Sequence, residues 1–257
     1  MKETYAALCE SNAREAVLFG IRQLEDNALF NAGYGSRLQK DGKVRMSAAI
    51  MDSESGKFSG VINICNVKNP IDVAAILSKK RHSVLGGKGA TEFARRQKME
   101  YSSPVAPHRL KEHHAKVKSD CGTVGVVALD ESGRICVGTS TGGIGYETPG
   151  RVSDSATVAG TYASKVCGVS CTGRGESIVN QAVAAKIVAR VEDGISLNDA
   201  IRGITKKSLQ QKLKLGLIAL DSNGNIVVGN GYHTMVLYAK HDGSKISTFL
   251  SEDGKRI

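Results

Sequence analysis

Val124-Gly-Val-Val-Ala-Leu-Asp130 and, after a polar turn, Ile135-Cys-Val-Gly138 form a pattern that recurs later in this chain of 257 residues. The recurrence is Leu215-Gly-Leu-Ile-Ala-Leu-Asp221, followed by Ile226-Val-Val-Gly229. Two apolar runs joined by a polar turn that contains glycine are typical of a β-hairpin. The repeated pattern therefore predicts a largely antiparallel sheet structure.

A third hairpin and several helices complete the predicted secondary structure. The hairpin strands are nearly apolar throughout, so both faces of the sheets are predicted to be covered. Apolar residues at helical spacing provide the covering helices. The predicted fold class is α+β, with stacked sheets between helix layers. The third hairpin uses runs at 44–52 and 58–67, and the helices span 3–24, 71–77, 86–96, 176–192 and 196–213.

The composition indicates a folded protein without a membrane span. Apolar residues make up 41% of the chain, which is ordinary for a globular protein. No apolar run reaches the roughly 18 residues that a membrane span needs, and residues 1–10 contain no apolar signal region. Six cysteines without a CxxC pair favour reduced thiols over disulfides. These features predict a cytoplasmic protein.

The formal net charge of +10 raises the question of nucleic-acid binding. The basic residues are spread along the chain, without interleaved aromatic residues or paired Cys/His spacing. A charged surface in contact with water is the favoured interpretation, so neither nucleic acid nor a membrane is expected as a partner. The alternative, binding of nucleic acid through the basic surface, predicts retention on DNA or RNA that falls steeply with salt.

Residues 97–121 differ from the segments around them. They contain two prolines, three of the six histidines and several lysines, without a sustained apolar period. This composition predicts an exposed loop or linker. His113 and His114 lack further ligands at a recognised metal-site spacing, which favours a solvated loop over a metal site.

The candidate nucleophile lies where this linker meets the first hairpin. The GxSxG, HExxH and GxxxxGK[ST] signatures are absent from the chain. A threonine that becomes N-terminal carries its own base, because its α-amino group accepts the hydroxyl proton. Its unperturbed pKa of roughly 7.7–8.0 suits catalysis near neutral pH. Cleavage between Gly122 and Thr123 would supply such a threonine.

Three later clusters support this hypothesis. Antiparallel pairing in the hairpin brings Thr141 beside Thr123. Arg151 and Asp154 are suited to the carboxylate and the ammonium of an amino acid. Residues 171–175 lead into a helix whose free N–H groups suit an oxyanion. The structural alternatives are a glycine turn, a surface ion pair and a helix-entry loop.

Four motifs stand in this order along the chain: Gly122-Thr-Val-Gly125, Thr139-Ser-Thr-Gly-Gly143, Gly150-Arg-Val-Ser-Asp-Ser155 and Thr172-Gly-Arg-Gly-Glu176. Together they resemble the plant-type L-asparaginase/isoaspartyl peptidase family, whose members are N-terminal-nucleophile threonine hydrolases. The resemblance extends to residues 24–35, 49–52 and 69–71, and so covers most of the chain.

The resemblance implies a four-layer αββα sandwich in a single domain, 1–257, which cleaves itself into 1–122 and 123–257. It implies hydrolysis of the side-chain amide of L-asparagine, of β-aspartyl (isoaspartyl) dipeptides, or of both. Thr123 would be the nucleophile, its freed amine the base, and Thr141 its support. The substrate would be a small molecule, and the processed units would form a homodimer.

The same resemblance assigns the remaining site residues. Arg151 and Asp154 would bind the α-carboxylate and the α-amino group of the substrate. Thr172 with Gly173 would form the oxyanion hole. The chemistry would require no cofactor, but a structural sodium ion would be held mainly by backbone carbonyl groups. Those carbonyl groups would belong to Leu24, Glu25, Asn27, Phe30, Ala32 and Tyr34.

The chain also departs from the family pattern. Family members begin with a strand that carries a His-Gly-Gly-Ala-Gly-like motif, whereas this chain begins partway into the following helix. The first β-strand is therefore expected to be lacking. Ser47 and Ala49 stand where the family has Asp and Ser, and residues 212–216 lack the usual paired glycines.

These departures keep alternatives open. One is an inactive, N-terminally truncated family member that acts as a binding or structural protein. The others are a glycosylasparaginase and a threonine aspartase. Gly142-Gly143 and Thr139-Ser-Thr141 match the asparaginase pattern better than either of these two.

Overall fold

Two β-sheets form the centre of the protein. The computed structural model describes residues 1–102, 105–118, 122–232 and 236–250. Within these residues the chain is a mixture of helices and sheets, as predicted. None of the helices in the described part is long and apolar enough to cross a membrane.

The first sheet has five strands in the order β3-β2-β1-β5-β4. Its β2–β3 pair is parallel, and the other pairs are antiparallel. Two of the predicted hairpins are thus confirmed, and they share one sheet. The strands are β1 (Met46–Asp52), β2 (Lys57–Ile64), β3 (Val84–Gly86), β4 (Val124–Leu129) and β5 (Ile135–Thr141).

The second sheet has four antiparallel strands in chain order and contains the repeated hairpin. A separate two-stranded ribbon follows it along the chain. The sheet consists of β6 (Thr161–Ala163), β7 (Cys167–Gly173), β8 (Leu215–Asp221) and β9 (Ile226–Asn230), and the ribbon of β10 (Leu237–His241) and β11 (Ile246–Leu250).

The helices agree with the predicted ones, except for two breaks and one addition. Asn12 divides the predicted helix at 3–24, because its side chain accepts the Glu15 N–H and caps a new helix. Ala182 divides the predicted helix at 176–192 by adopting a left-handed φ of 48°. The helices are α1 (Lys2–Glu10), α2 (Ala13–Asp26), α3 (Pro70–Leu77), α4 (Gly87–Arg96), α5 (Pro107–His114), α6 (Gly175–Gln181), α7 (Val183–Glu192) and α8 (Leu197–Gln210).

The added helix is α5, where the sequence predicted an exposed loop or linker over 97–121. For residues 107–114 that prediction is wrong, and Arg109 within the helix is only 5% exposed. Pro107 starts the helix at a position where a missing N–H costs nothing. Apolar periodicity did not reveal α5, because polar contacts hold this helix in place.

Helices pack on each sheet, and the sheets pack on each other. On the five-stranded sheet, α2 and α3 contribute buried residues such as Val17, Ile21 and Ile71. On the four-stranded sheet, α7 and α8 contribute Ile187 and Ile201. A smaller apolar cluster lies between the sheets and contains Met51, Ile135, Val137 and Ala163.

The structure describes five of the six cysteines, and each of these five is a free thiol. The free thiols are Cys9, Cys65, Cys136, Cys167 and Cys171. The sixth, Cys121, lies outside the described residues.

Candidate active site

The hairpin register brings the two candidate threonines together. Val124 pairs with Ser140, so Thr123 lies opposite Thr141 at the end of β5. The Thr123 hydroxyl donates a hydrogen bond to Thr141 Oγ1 over 3.2 Å. Thr141 Oγ1 also accepts the Gly143 N–H, over 3.2 Å. The predicted proximity is confirmed, and the geometry fixes the rotamer of a candidate nucleophile.

Asn31 contacts both sides of this pair and was not among the predicted site residues. A Cβ added to Gly122 would lie 2.7 Å from the Asn31 Cβ, so only glycine fits before Thr123. The Asn31 side-chain amide donates to the Gly143 carbonyl oxygen, and the Asn31 backbone carbonyl accepts the Gly142 N–H. Asn31 lies within residues 24–35, for which the sequence predicted only backbone ligands.

Arg151 and Asp154 lie together beside the first residue of α6. A Cβ on Gly175 would lie 2.7 Å from Arg151 Nη2 and 2.9 Å from Asp154 Oδ1, so a side chain at this position would displace one or both of these groups. The Arg151 Nε donates to Glu176 Oε1 over 2.8 Å. The Glu176 pKa is lowered, chiefly by this hydrogen bond. Arg151 therefore forms its ion pair with Glu176, which was not among the predicted site residues.

Several polar atoms in this region are buried without a hydrogen-bond partner among the described residues. They include Arg151 Nη2, Asp154 Oδ2 and Thr172 Oγ1. A buried polar atom that lacks a partner costs free energy, about 1–3 kcal/mol, which a ligand can offset. Burial also raises the Asp154 pKa to about 7. These are the properties of a site prepared for a polar ligand.

A second carboxyl near Arg151 was also missed by the sequence analysis. Glu147 is 6% exposed, and burial raises its pKa. Its Oε2 has no hydrogen-bond partner among the described residues, and Gly143 lies close to its other oxygen. No motif marked Glu147, because it lies in a loop outside the four matched segments.

Thr172 and Gly173 end β7 and lead directly into α6. Gly173 has a φ of 131° and packs against the Lys214 carbonyl oxygen, which leaves no room for a side chain. Ser170, two residues before Thr172, lies against Gly125 of β4 across the two sheets. Thr172 and Gly173 thus lie along the chain between Ser170, which contacts the strand that follows Thr123, and Gly175, which contacts Arg151 and Asp154.

The candidate cation loop is tightly closed. The Glu25 carbonyl oxygen packs against Gly33 and the Phe30 carbonyl oxygen against Gly35, at distances that exclude any Cβ. Hard carbonyl oxygens of this kind are suitable ligands for a hard cation. The Glu25 side chain is separately engaged, since it accepts the Ser140 hydroxyl at 2.6 Å, and burial raises its pKa to about 8.

Two further observations limit the extent of the site. Ser47, which departs from the family pattern, pairs with Thr141 in the β1–β5 register and accepts the Asn63 N–H. A cavity of about 730 Å³ lies beside β9. It is lined by residues that include Ile195, Asp221 and Ile226, and by none of the predicted site residues.

Comparisons with known proteins agree with this arrangement. A sequence model of the family described as "Asparaginase" matches residues 1–118 and 102–250. An isoaspartyl peptidase/L-asparaginase of Nostoc sp. is 43% identical over 272 residues, covering 97% of this chain and 85% of the relative. The corresponding Synechocystis protein is 42% identical and covers 93% and 78%. A plant-type L-asparaginase of Pyrococcus abyssi is 36% identical and covers 85% and 80%.

Proposed function

The chain belongs to the asparaginase family, and on that premise we propose that it is a self-processing hydrolase of L-asparagine and β-aspartyl dipeptides. The observation that carries the proposal is the hydrogen bond between Thr123 and Thr141 directly after Gly122. It supports a threonine nucleophile at the junction where cleavage has to occur. Nucleophile, base and oxyanion donors would all be protein groups, so the chemistry needs no cofactor.

Self-cleavage would use the Thr123 hydroxyl. Its oxygen attacks the carbonyl carbon of Gly122, and the peptide C–N bond breaks as an ester forms. The hydroxyl proton goes to the nitrogen of Thr123, which becomes a free amine. Water then hydrolyses the ester and yields fragments 1–122 and 123–257.

Substrate hydrolysis would repeat the attack on a bound amide. Arg151 holds the α-carboxylate of the substrate and Asp154 its α-ammonium group. The Thr123 amine takes the hydroxyl proton, and the Oγ1 attacks the β-carbonyl carbon. Thr172 Oγ1 and the Gly173 N–H stabilise the oxyanion. The proton passes to the leaving ammonia or amine, and water releases aspartate from the acyl-enzyme.

The remaining features of the family are proposed with it. The contacts of helices with each sheet, and of the sheets with each other, support a four-layer αββα sandwich. The closed carbonyl loop supports a structural sodium ion at the six predicted backbone positions. A homodimer of processed units and the lack of the family's first strand stay predictions.

Thr123→Ala tests the proposal most directly. Denaturing gels of the purified wild-type protein should show two fragments, with the second starting at Thr123 by N-terminal sequencing. Thr123→Ala should give one full-length band and no asparagine hydrolysis. Thr205→Ala, in α8 and remote from the site, should cleave and hydrolyse like the wild type.

The choice of substrate separates the alternatives within the family. Turnover of asparagine and β-aspartyl dipeptides is expected, with weaker or absent turnover of glycosylated asparagine. Turnover of glycosylated asparagine alone would favour a glycosylasparaginase. A wild-type chain that stays intact and hydrolyses none of these amides would overturn the proposed function.

A further inference from the structure

The helix α5 is attached to the loop that carries Asn31. The buried Arg109 donates from Nε to the Gly35 carbonyl oxygen over 2.6 Å and from Nη2 to the Leu29 carbonyl oxygen over 3.4 Å. Both acceptors belong to residues 27–37, here called the Asn31 loop. A guanidinium that is 5% exposed and bound to two carbonyl groups of one loop restricts the conformation of that loop.

Glu112 extends this attachment by one turn of the helix. Its carboxylate accepts from Arg109 Nη1 over 2.9 and 3.0 Å and from Arg37 Nε over 3.0 Å. The Arg37 backbone N–H in turn donates to Asn31 Oδ1 over 2.9 Å. A continuous chain of hydrogen bonds therefore runs from α5 to the Asn31 side chain.

The end of α5 also contacts a second loop, residues 142–147, here called the Gly143 loop. The His113 and Tyr146 rings lie 5.6 Å apart, and Lys116 Nζ lies 5.9 Å from the Tyr146 ring. The Val117 carbonyl oxygen packs against Gly145. The helix therefore covers both loops that surround Thr141.

These two loops meet at the bond that is proposed to break. Asn31 packs on Gly122 and binds the Gly142 N–H and the Gly143 carbonyl oxygen. Gly143 then donates to Thr141 Oγ1, the acceptor of the Thr123 hydroxyl. The segment that carries α5 is also the chain that enters Gly122, only eight residues after His114.

We propose that α5 positions the Gly122–Thr123 bond for self-cleavage, with Arg109 as the positioning residue. The inference rests on the proposed function and deepens it. The helix fixes the Asn31 loop against Gly122, so that the Thr123 hydroxyl stays near the Gly122 carbonyl carbon. Cleavage breaks the covalent connection between α5 and Thr123 and leaves the contacts of α5 with the two loops in place, so α5 affects self-cleavage more strongly than substrate turnover.

A time course of cell-free synthesis of the full chain tests this role. Arg109→Ala should slow the appearance of the two fragments by about tenfold or more, as expected when a reacting pair loses its fixed orientation. Glu112→Gln keeps the side-chain shape but weakens both ion pairs, and should slow cleavage less. Lys111→Ala, exposed on the same helix, should cleave at the wild-type rate.

Turnover by the cleaved protein separates positioning from a structural role. Cleaved Arg109→Ala protein should lose much less in kcat/KM than the precursor loses in its rate of cleavage. Cleavage of Arg109→Ala at the wild-type rate would overturn the inference alone, as would equal losses of cleavage and of turnover in the cleaved fraction. A wild-type chain that never cleaves would overturn the proposed function as well.

Discussion

Among single residues, Asp154 has an environment that differs strongly from that of an ordinary carboxyl group in water. It is 3% exposed, one of its oxygens has no hydrogen-bond partner among the described residues, and burial raises its pKa to about 7. The nearby Arg151 guanidinium lowers that pKa, but less than burial raises it. Burial of the ionised Asp154 therefore costs folding free energy, although this is the group proposed to hold the substrate's ammonium.

The free-energy cost of burying the ionised Asp154 predicts that Asp154→Asn changes the stability of the protein in a pH-dependent way. A carboxyl whose folded pKa is raised stabilises the protein below its unfolded pKa, and that contribution is lost as the pH rises through about 7. Asparagine keeps the neutral form at every pH. The free energy of unfolding of Asp154→Asn should exceed that of the wild type at about pH 8, and the difference should shrink by about 2–3 kcal/mol towards about pH 5.

Denaturant unfolding of the two proteins without substrate, across this pH range, measures the difference. Groups remote from Asp154 titrate alike in both proteins, so their contributions cancel. Asparagine hydrolysis should be lost in the variant, because the ammonium loses its counter-charge. A stability difference that does not change with pH would show that the Asp154 pKa is ordinary.

Sequence reasoning predicted the proximity of Thr123 and Thr141 because hairpin pairing has a period that can be counted along the chain. It did not predict Asn31 or Glu147 as neighbours of the site. Both lie in loops, where contacts depend on how distant segments pack and not on a local period. The signal that identifies Asn31, a glycine that cannot accept a Cβ, exists only in three dimensions.

At the scale of elements, the junction between α6 and α7 is strained. Ala182 is the last residue before α7 and has a left-handed conformation, with φ 48° and ψ 48°. For a residue with a Cβ this conformation costs roughly 1–2 kcal/mol, whereas glycine adopts it freely. Ala182 is exposed, so a change to glycine removes little packing.

Ala182→Gly is therefore expected to stabilise the protein by up to about 1 kcal/mol, despite the greater freedom of glycine in the unfolded chain. Ala189→Gly is the matched control, since Ala189 is exposed inside α7. It should destabilise by about 1 kcal/mol, as glycine does in a helix interior. Thermal unfolding of both variants should give shifts of opposite sign, and equal losses would contradict the strain at Ala182.

Whether a helix or strand could be predicted depends on the interactions that stabilise it. The hairpins around 124–141 and 215–230 were predicted because their strands are apolar and regularly interrupted by turns. Helix α5 was not predicted, because its single buried side chain is Arg109 and its attachments are carbonyl groups and ion pairs. The pattern of apolar and polar residues cannot reveal a helix whose position is fixed by hydrogen bonds.

For the whole molecule, the contact between the two sheets is not entirely apolar. Thr139 of β5 lies 2.8 Å from Ser170 of β7 and 2.6 Å from Thr161 of β6, measured between hydroxyl oxygens. The Thr161 hydroxyl also reaches the Ser155 carbonyl oxygen over 2.8 Å. Each of the three hydroxyl groups is buried. Their hydrogen bonds connect the sheet of the candidate nucleophile to the sheet of the candidate oxyanion hole.

Thr139→Val tests how strongly this chain holds the sheets together. It removes the central hydroxyl and leaves those of Ser170 and Thr161 with fewer buried partners, so it should destabilise the protein by about 1–3 kcal/mol. Ser170→Ala removes a terminal hydroxyl and should cost less. In the double variant the Ser170 hydroxyl is no longer present to be left unpaired, so the loss should be smaller than the sum of the single losses by about 0.5 kcal/mol or more. Denaturant unfolding of the four proteins measures this coupling, and additive losses would mean that the hydroxyls stabilise each sheet separately.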